Sequence, residues 1–331
     1  MASMIQSAAT SQPVRWRHAI WLVIRAVFVV AVLGYIVSRL DLQVLLAQAQ
    51  SIQPGYVLLG FAVWFVSLIL ATLRWYVLAR SVTTAVSFSF LLRYSFVGIF
   101  YSQFLPSSIS GDVVRGIYVA RARTDKAAMF SSSLVERVIG MATNGAVGLL
   151  ALCAAPEILH LFGLEMETAL GLVILILLAA SAGYVVLQRA KLPEHRLPRV
   201  ILVPYQTLRA YTAKPIAMGL SLLISVVYFL LWTVALWALG LAVGINQINF
   251  TAMLVVLSAI NVAQILPLSV NGWGVREGAL VALLAIYGVQ AETAVLLSLL
   301  WALVALLAAV VGGILLVTDR VSDGTRDKSD S

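Results

Sequence analysis

Apolar residues run along this chain in stretches of membrane-span length, separated by short polar segments. The pattern predicts helices near residues 19–38, 54–79, 127–153, 168–188, 215–243 and 292–317, because about 20 consecutive apolar residues carry an α-helix across a bilayer. Two further apolar segments, residues 90–123 and 251–288, are longer but interrupted. Each has a proline, a turn glycine and an arginine in its middle, which break a helix or place a charge where an ordinary span has neither.

The two interruptions repeat one motif in identical register. Gln103, Leu105, Pro106, Ser108, Gly111, Val114 and Arg115 recur 161 residues later as Gln264, Leu266, Pro267, Ser269, Gly272, Val275 and Arg276. Pro54 and Pro215, which each open a span, share the same offset. The chain therefore reads as two halves, each with the order span, span, broken segment, span.

Composition narrows the class. With 62% hydrophobic and 11% charged residues and a mean hydropathy of +1.00, the chain is a polytopic membrane protein, since a soluble globule carries about a quarter charged residues. The net charge of +8 does not point to nucleic acid, because Lys and Arg cluster in short loops beside apolar spans. Cys153 is alone, and His18, His160 and His195 are scattered, so no metal site is expected. No phosphate-cradling Gly-rich loop with a following Lys-Ser or Lys-Thr is present, so no ATP engine and no cofactor are expected.

Charge also orients the spans. Arg15 and Arg17, then Arg74, Arg80 and Arg93, then Arg115, Arg121, Arg123 and Lys126, then residues 189–214 place base on one side, read as cytoplasmic. Residues 154–167 hold Glu157, Glu165 and Glu167 without Lys or Arg and are read as an outer loop. The count closes if residues 90–123 enter and leave from the cytoplasm and residues 251–288 enter and leave from outside. The expected fold is an all-α integral membrane protein, an inverted-topology repeat of helices with two re-entrant broken-helix hairpins. Its expected parts are a cytoplasmic segment 1–18, a first repeat 19–153, the outer loop, a second repeat 168–318 and a disordered tail 319–331. Both termini are expected in the cytoplasm of a multi-pass protein of the cell (inner) membrane, with residues 19–38 retained as a first helix rather than cleaved as a signal peptide. Eight ordinary spans with proline kinks remain the alternative.

The motif residues suggest a chemistry. Ser110 and Asn271 stand where a second half-helix wants its N-cap, followed by the turn glycines Gly111 and Gly272. A half-helix starting inside a membrane presents unpaired amides, an anion site, with Arg115 or Arg276 one turn on. A guanidinium keeps its charge and grips a phosphate bidentately. The copies differ at Asp112 against Trp273, Val113 against Gly274, and Gly116 against Glu277. The simpler alternative is a pair of capped turns whose arginines snorkel and pair with Asp112 or Glu277. Glu136 and Arg137 lie two turns inside the next span, either in a buried network with Asp112 and Arg115 or on substrate. Asn261 and Gln264, three apart, share a helical face toward the second motif, and Gln103 is the counterpart of Gln264 in the first. Arg25 and Arg74 lie nearer helix ends and are expected to snorkel.

At these residues the chain resembles the lysylphosphatidylglycerol synthase transmembrane-domain family. The marks are Leu-Pro-x-x-x-x-Gly-Asp-x-x-Arg at residues 105–115, the Glu136-Arg137 pair, and Pro-x-x-x-x-Gly-x-Gly-x-Arg-Glu at residues 267–277. The resemblance implies a flippase-like domain that moves lipid headgroups between leaflets without ATP. It is expected to be a free-standing member, so neither lysyl transfer nor lysylphosphatidylglycerol as cargo is carried over. The expected partner is a membrane phospholipid or a polyprenyl-phosphate lipid, with a lipid- or glycan-modifying enzyme as a further candidate; oligomeric state is left open. Two rival readings stand beside it: a membrane-embedded transferase or its accessory subunit, with Asp112, Glu136 or Glu277 as general base, and a non-catalytic scaffold.

Overall fold

The computed structural model describes residues 34–35, 38, 40–82, 86–105, 110–121, 126–155, 158–159, 165–168, 170–171, 173–175, 178, 206, 209–264 and 272–326. Among them the chain is all-helical. The helices used below are α1 (Leu42–Gln50), α2 (Pro54–Val82), α3 (Phe88–Ser102), α4 (Ser110–Arg121), α5 (Lys126–Cys153), α6 (Pro215–Ala242), α7 (Phe250–Ala263), α8 (Val275–Ala285) and α9 (Ala291–Arg326). The expected spans 19–38 and 168–188, and the basic cytoplasmic segment before Pro215, fall largely outside the described residues.

Local chemistry sets the helix starts. Pro54 and Pro215 open α2 and α6, where a fixed φ suits the first turn and the missing N–H costs nothing. Ser87 caps α3 by accepting from the Phe90 amide at 3.4 Å, and Asn249 caps α7 by accepting from Ala252 at 2.8 Å. Asp41 caps α1, accepting from Gln43 at 2.8 Å and Val44 at 3.3 Å. The apolar pattern had not singled out α1, a glutamine-rich helix held to α9 by Gln48, whose side chain meets Gln290 at 3.1 Å and Thr293 at 3.0 Å. α9 runs on to Arg326, beyond the expected end at Asp319, because no proline interrupts its backbone ladder there.

Among the described residues four helices are long and apolar enough to cross a membrane: α2, α6, Met129–Cys153 of α5 and Ala291–Thr318 of α9. The molecule is a multi-pass membrane protein. By contrast α3, α4, α7 and α8 have 15, 12, 14 and 11 residues. At 1.5 Å per residue each is about 16–23 Å long, short of the roughly 30 Å hydrocarbon core.

α2 and α6 run antiparallel at the centre. The Gln53 amide, just before α2, donates to the Ala242 carbonyl at 3.0 Å, and beyond the other end the Tyr211 hydroxyl donates to the Leu78 carbonyl at 3.1 Å. Burial pushes the Tyr211 phenol above its ordinary range, so it remains a donor. α3 crosses α9, where Arg93 donates to the Leu315 carbonyl at 2.9 Å and Gly312 lies on the Phe96 backbone. α7 crosses α5, where Ser258 donates to the Asn144 carbonyl at 3.3 Å and Gly148 lies against Ser258. Every substantial contact among α2–α9 has such a counterpart 161 residues along: α4 packs on α5 as α8 packs on α9, and α3 on α4 as α7 on α8.

Close approach matters here because lipid is as apolar as leucine, so helices associate through tight packing and polar contacts. Gly98 and Gly111 bring α3 and α4 together with no room for a Cβ on either, and the Tyr101 and Tyr118 hydroxyls bond across the pair at 2.8 Å. The larger apolar core joins α6, α7, α8 and α9 through Met253, Leu257, Leu280, Leu284, Leu297 and Val304. A smaller one, Trp75, Leu91, Val119 and Met129, joins α2, α3, α4 and α5.

Candidate functional site

Both broken segments end at one cavity. Gln103, past the last turn of α3, and Gln264, past the last turn of α7, both line a space of about 260 Å³. An adjoining space of about 220 Å³ reaches Gly111, Asp112, Arg115 and Glu136. Arg74, Arg137, Tyr228 and Trp232 line both.

The first motif supplies a charged cluster built around Glu136, which is 1% exposed. One of its oxygens accepts from Arg74 of α2, through Nε at 2.8 Å and through Nη2; the other accepts from Arg115 of α4. Arg115 also meets Asp112 at 3.0 Å, one turn earlier on its own helix, and Asp112 meets Arg137 at 3.2 Å. Arg74 donates further to Ser225 at 3.1 Å and lies over the Tyr228 ring at 5.2 Å, while Arg115 lies over Trp75 at 4.6 Å. Three guanidiniums thus face two carboxylates, leaving one positive charge unbalanced among the described residues. Arg137 is the least enclosed, with 33% of its side chain exposed against 9% for Arg115. Its Nη1 is engaged by Asp112, and its Nε has no partner among the described residues.

The second motif solves the same burial differently. Arg276 donates to Glu277 at 2.6 and 3.1 Å and to Ser298 at 3.0 Å, and it lies over the rings of Trp273 at 5.0 Å and Trp301 at 5.6 Å. Glu277 also accepts from Ser298 at 2.8 Å and from the Gly274 amide at 2.6 Å. Leu297 stands at the offset position of Glu136, and Glu277 at that of Gly116. The carboxylate has moved from the span onto the hairpin, and the pair is neutral.

The helix starts also differ from expectation. α8 begins at Val275, with Gly274 rather than Asn271 in the capping position, because Gly272 and Gly274 both take φ near +82° and delay the helix. The amide of the capping residue Gly274 is held by the Glu277 carboxylate, which sets a negative group at the start of the helix where an anion was expected. Asn271 and the Ser110 side chain lie outside the described residues, although the backbone of α4 begins at Ser110.

Around the charges the lining is aromatic and amidic. The rings of Tyr228 and Trp232 lie 5.6 Å apart and those of Trp232 and Trp301 5.9 Å, forming a continuous wall. Asn261 donates to Asn144 at 3.0 Å across the cavity, joining α7 to α5. Gly140, Met141 and Asn144 follow Arg137 on one face of α5.

Sequence reasoning missed part of this site. Arg74 does not snorkel: it is 6% exposed and bridges α2 to α5 and α6, because Glu136, Ser225 and Tyr228 converge on it. A signal was present in the run Ser221, Ser225, Tyr228, Trp232, a helical stripe of hydrogen-bonding side chains in an otherwise apolar span.

Residues 22–313 match the family model described as the lysylphosphatidylglycerol synthase TM region. No curated protein matches the chain.

Proposed function

We propose that this chain, which belongs to the lysylphosphatidylglycerol synthase TM region family, moves a phosphate-bearing lipid headgroup across the bilayer without ATP. The observation that carries the reading is the single cavity on which both motif copies converge, holding one unbalanced guanidinium among the described residues. The headgroup enters this polar space while the lipid tails stay in the bilayer. A phospholipid or a polyprenyl phosphate meets the requirement.

The architecture supports an inverted repeat. Antiparallel packing of α2 on α6, with matched contacts for every other helix pair, supports two halves related by an axis in the membrane plane. In that frame α3 and α4 form one re-entrant hairpin and α7 and α8 the other, each built of helices too short to span. Transporter folds of this kind place the substrate site at the midplane between repeats, where helices are broken. The clustering of Lys and Arg supports a cytoplasmic side for the first hairpin and both termini.

Within the cavity the phosphate contact falls to Arg137. Arg115 and Arg276 spend donors on Glu136, Asp112 and Glu277, so they shape the site and set its charge. Glu136 and Glu277 have their oxygens engaged by arginine and serine donors, which favours structural roles over general-base chemistry.

The test is lipid movement in vesicles containing the purified chain, read by quenching of a fluorescent phospholipid from one side. Arg137→Gln is expected to slow flipping about tenfold or more, a loss typical of removing one charged hydrogen-bond donor. Unchanged movement in Arg137→Gln, or no movement above protein-free vesicles with wild type, overturns the proposal.

A further inference from the structure

Resting on that reading, we infer that the headgroup carried is an uncharged ring polyol, a hexose or cyclitol, joined to its lipid through one phosphate. Three independent features of the cavity select it.

The first is charge. Across both motifs, four guanidiniums, those of Arg74, Arg115, Arg137 and Arg276, face the three carboxylates of Asp112, Glu136 and Glu277 among the described residues. One phosphodiester anion balances the excess. A headgroup that also carries an ammonium brings a positive charge with no carboxylate left for it, in a low-dielectric space where an unpaired charge is costly.

The second is the kind of hydrogen-bonding group. Gln103, Gln264, Asn144 and Asn261 line the cavity, and each carboxamide both donates and accepts. Phosphate asks only for donors and an ammonium only for acceptors, whereas a hydroxyl asks for both. The Asn144 to Asn261 bond at 3.0 Å uses one donor and one acceptor, and by valence Asn144 and Asn261 each keep further capacity. The carboxamides come from both halves of the chain, so a ring between them is held from two sides.

The third is the wall and the space. Tyr228, Trp232 and Trp301 present a run of aromatic surface beside the amides. A sugar or cyclitol ring has an apolar C–H face and a hydroxyl edge, the combination that such a lining fits. A space of about 260 Å³, with a further 220 Å³ adjoining it, is room for a ring beside its phosphate.

The experiment measures displacement of a fluorescent short-chain phosphatidylglycerol from the full-length chain in detergent. The competitors are a hexosyl prenyl phosphate, dihexanoyl phosphatidylinositol, dihexanoyl phosphatidylglycerol and its lysyl ester. At least one ring lipid is expected to compete about tenfold better than phosphatidylglycerol, the worth of one or two added hydrogen bonds, with the lysyl ester weakest. The better of the two ring lipids identifies the carrier as prenyl or diacylglycerol. Trp232→Leu and Asn144→Ala are expected to narrow the ring preference, but the wild-type ranking decides alone. Equal competition by ring lipids and phosphatidylglycerol, or tightest binding of the lysyl ester, overturns the headgroup assignment and leaves the transport reading standing. No binding of any phosphate lipid, together with no flipping in vesicles, overturns both.

Discussion

Arg74 and Glu136, 62 residues apart in the chain, meet as a buried ion pair that ties α2 to α5, and the second oxygen of Glu136 holds Arg115 of α4. One carboxylate therefore fixes three helices. Glu136→Gln strands two enclosed guanidiniums and is expected to cost about 3–5 kcal/mol, the usual loss on breaking a buried pair from one side. Thermal unfolding of the purified protein in detergent measures it. The double variant Arg74→Gln with Glu136→Gln is expected to cost less than the two single losses added together, because the partners are coupled.

Glycine packing gives a second comparison. A Cβ at Gly312 meets the Phe96 carbonyl, so Gly312→Ala must push α9 from α3 and is expected to cost about 1–3 kcal/mol. Gly145 lies within α5 with nothing near its Cβ position. Gly145→Ala is expected to raise stability by about 0.5–1 kcal/mol through helix propensity alone. Opposite shifts in the unfolding midpoint confirm the contact; equal shifts contradict it.

The turn before α8 permits a sharper test. Gly244 and Gly272 both have positive φ, but a Cβ at Gly244 meets open space whereas one at Gly272 runs into the Gln264 side chain. Gly244→Ala is expected to cost about 1–2 kcal/mol for the backbone conformation alone. Gly272→Ala is expected to cost more and also to weaken lipid movement, since Gln264 lines the cavity. Stability and flipping measured on the same preparations separate the two effects.

Topology is accessible to labelling in a Cys153→Ser background, which removes the natural thiol. A cysteine replacing Lys126 is expected to react with an impermeant maleimide from the cytoplasmic side only, and one replacing the exposed Gln290 from the outer side only. Reaction of both from the same side contradicts the inverted arrangement.

Much of this molecule was legible because its signals are local. Pro54 and Pro215 marked helix starts, the prolines at positions 106 and 267 of the sequence marked the breaks before which α3 and α7 stop, and Asp112 sits one turn from Arg115 on the same helix. What escaped depends on partners brought together by packing. Arg74 reads as a helix-end arginine until α5 and α6 are folded against it. Asn144 and Asn261 are 117 positions apart, and Trp301 joins Tyr228 and Trp232 only once α9 packs beside α6. The delayed start of α8 escaped for a different reason: Gly272 and Gly274, on either side of Trp273, both take positive φ and carry the turn past the position where Asn271 was expected to cap.

The unbalanced guanidinium has an electrical consequence. With a monoanionic headgroup in place the cavity is neutral, and it feels no force from the transmembrane voltage; emptied, it carries one positive charge. An inside-negative potential is worth about 2.3 kcal/mol per charge for each 100 mV. On the proposed reading that the site carries an anionic headgroup, this difference between the filled and the empty cavity makes lipid movement sensitive to voltage, which an imposed potassium potential across the vesicles measures.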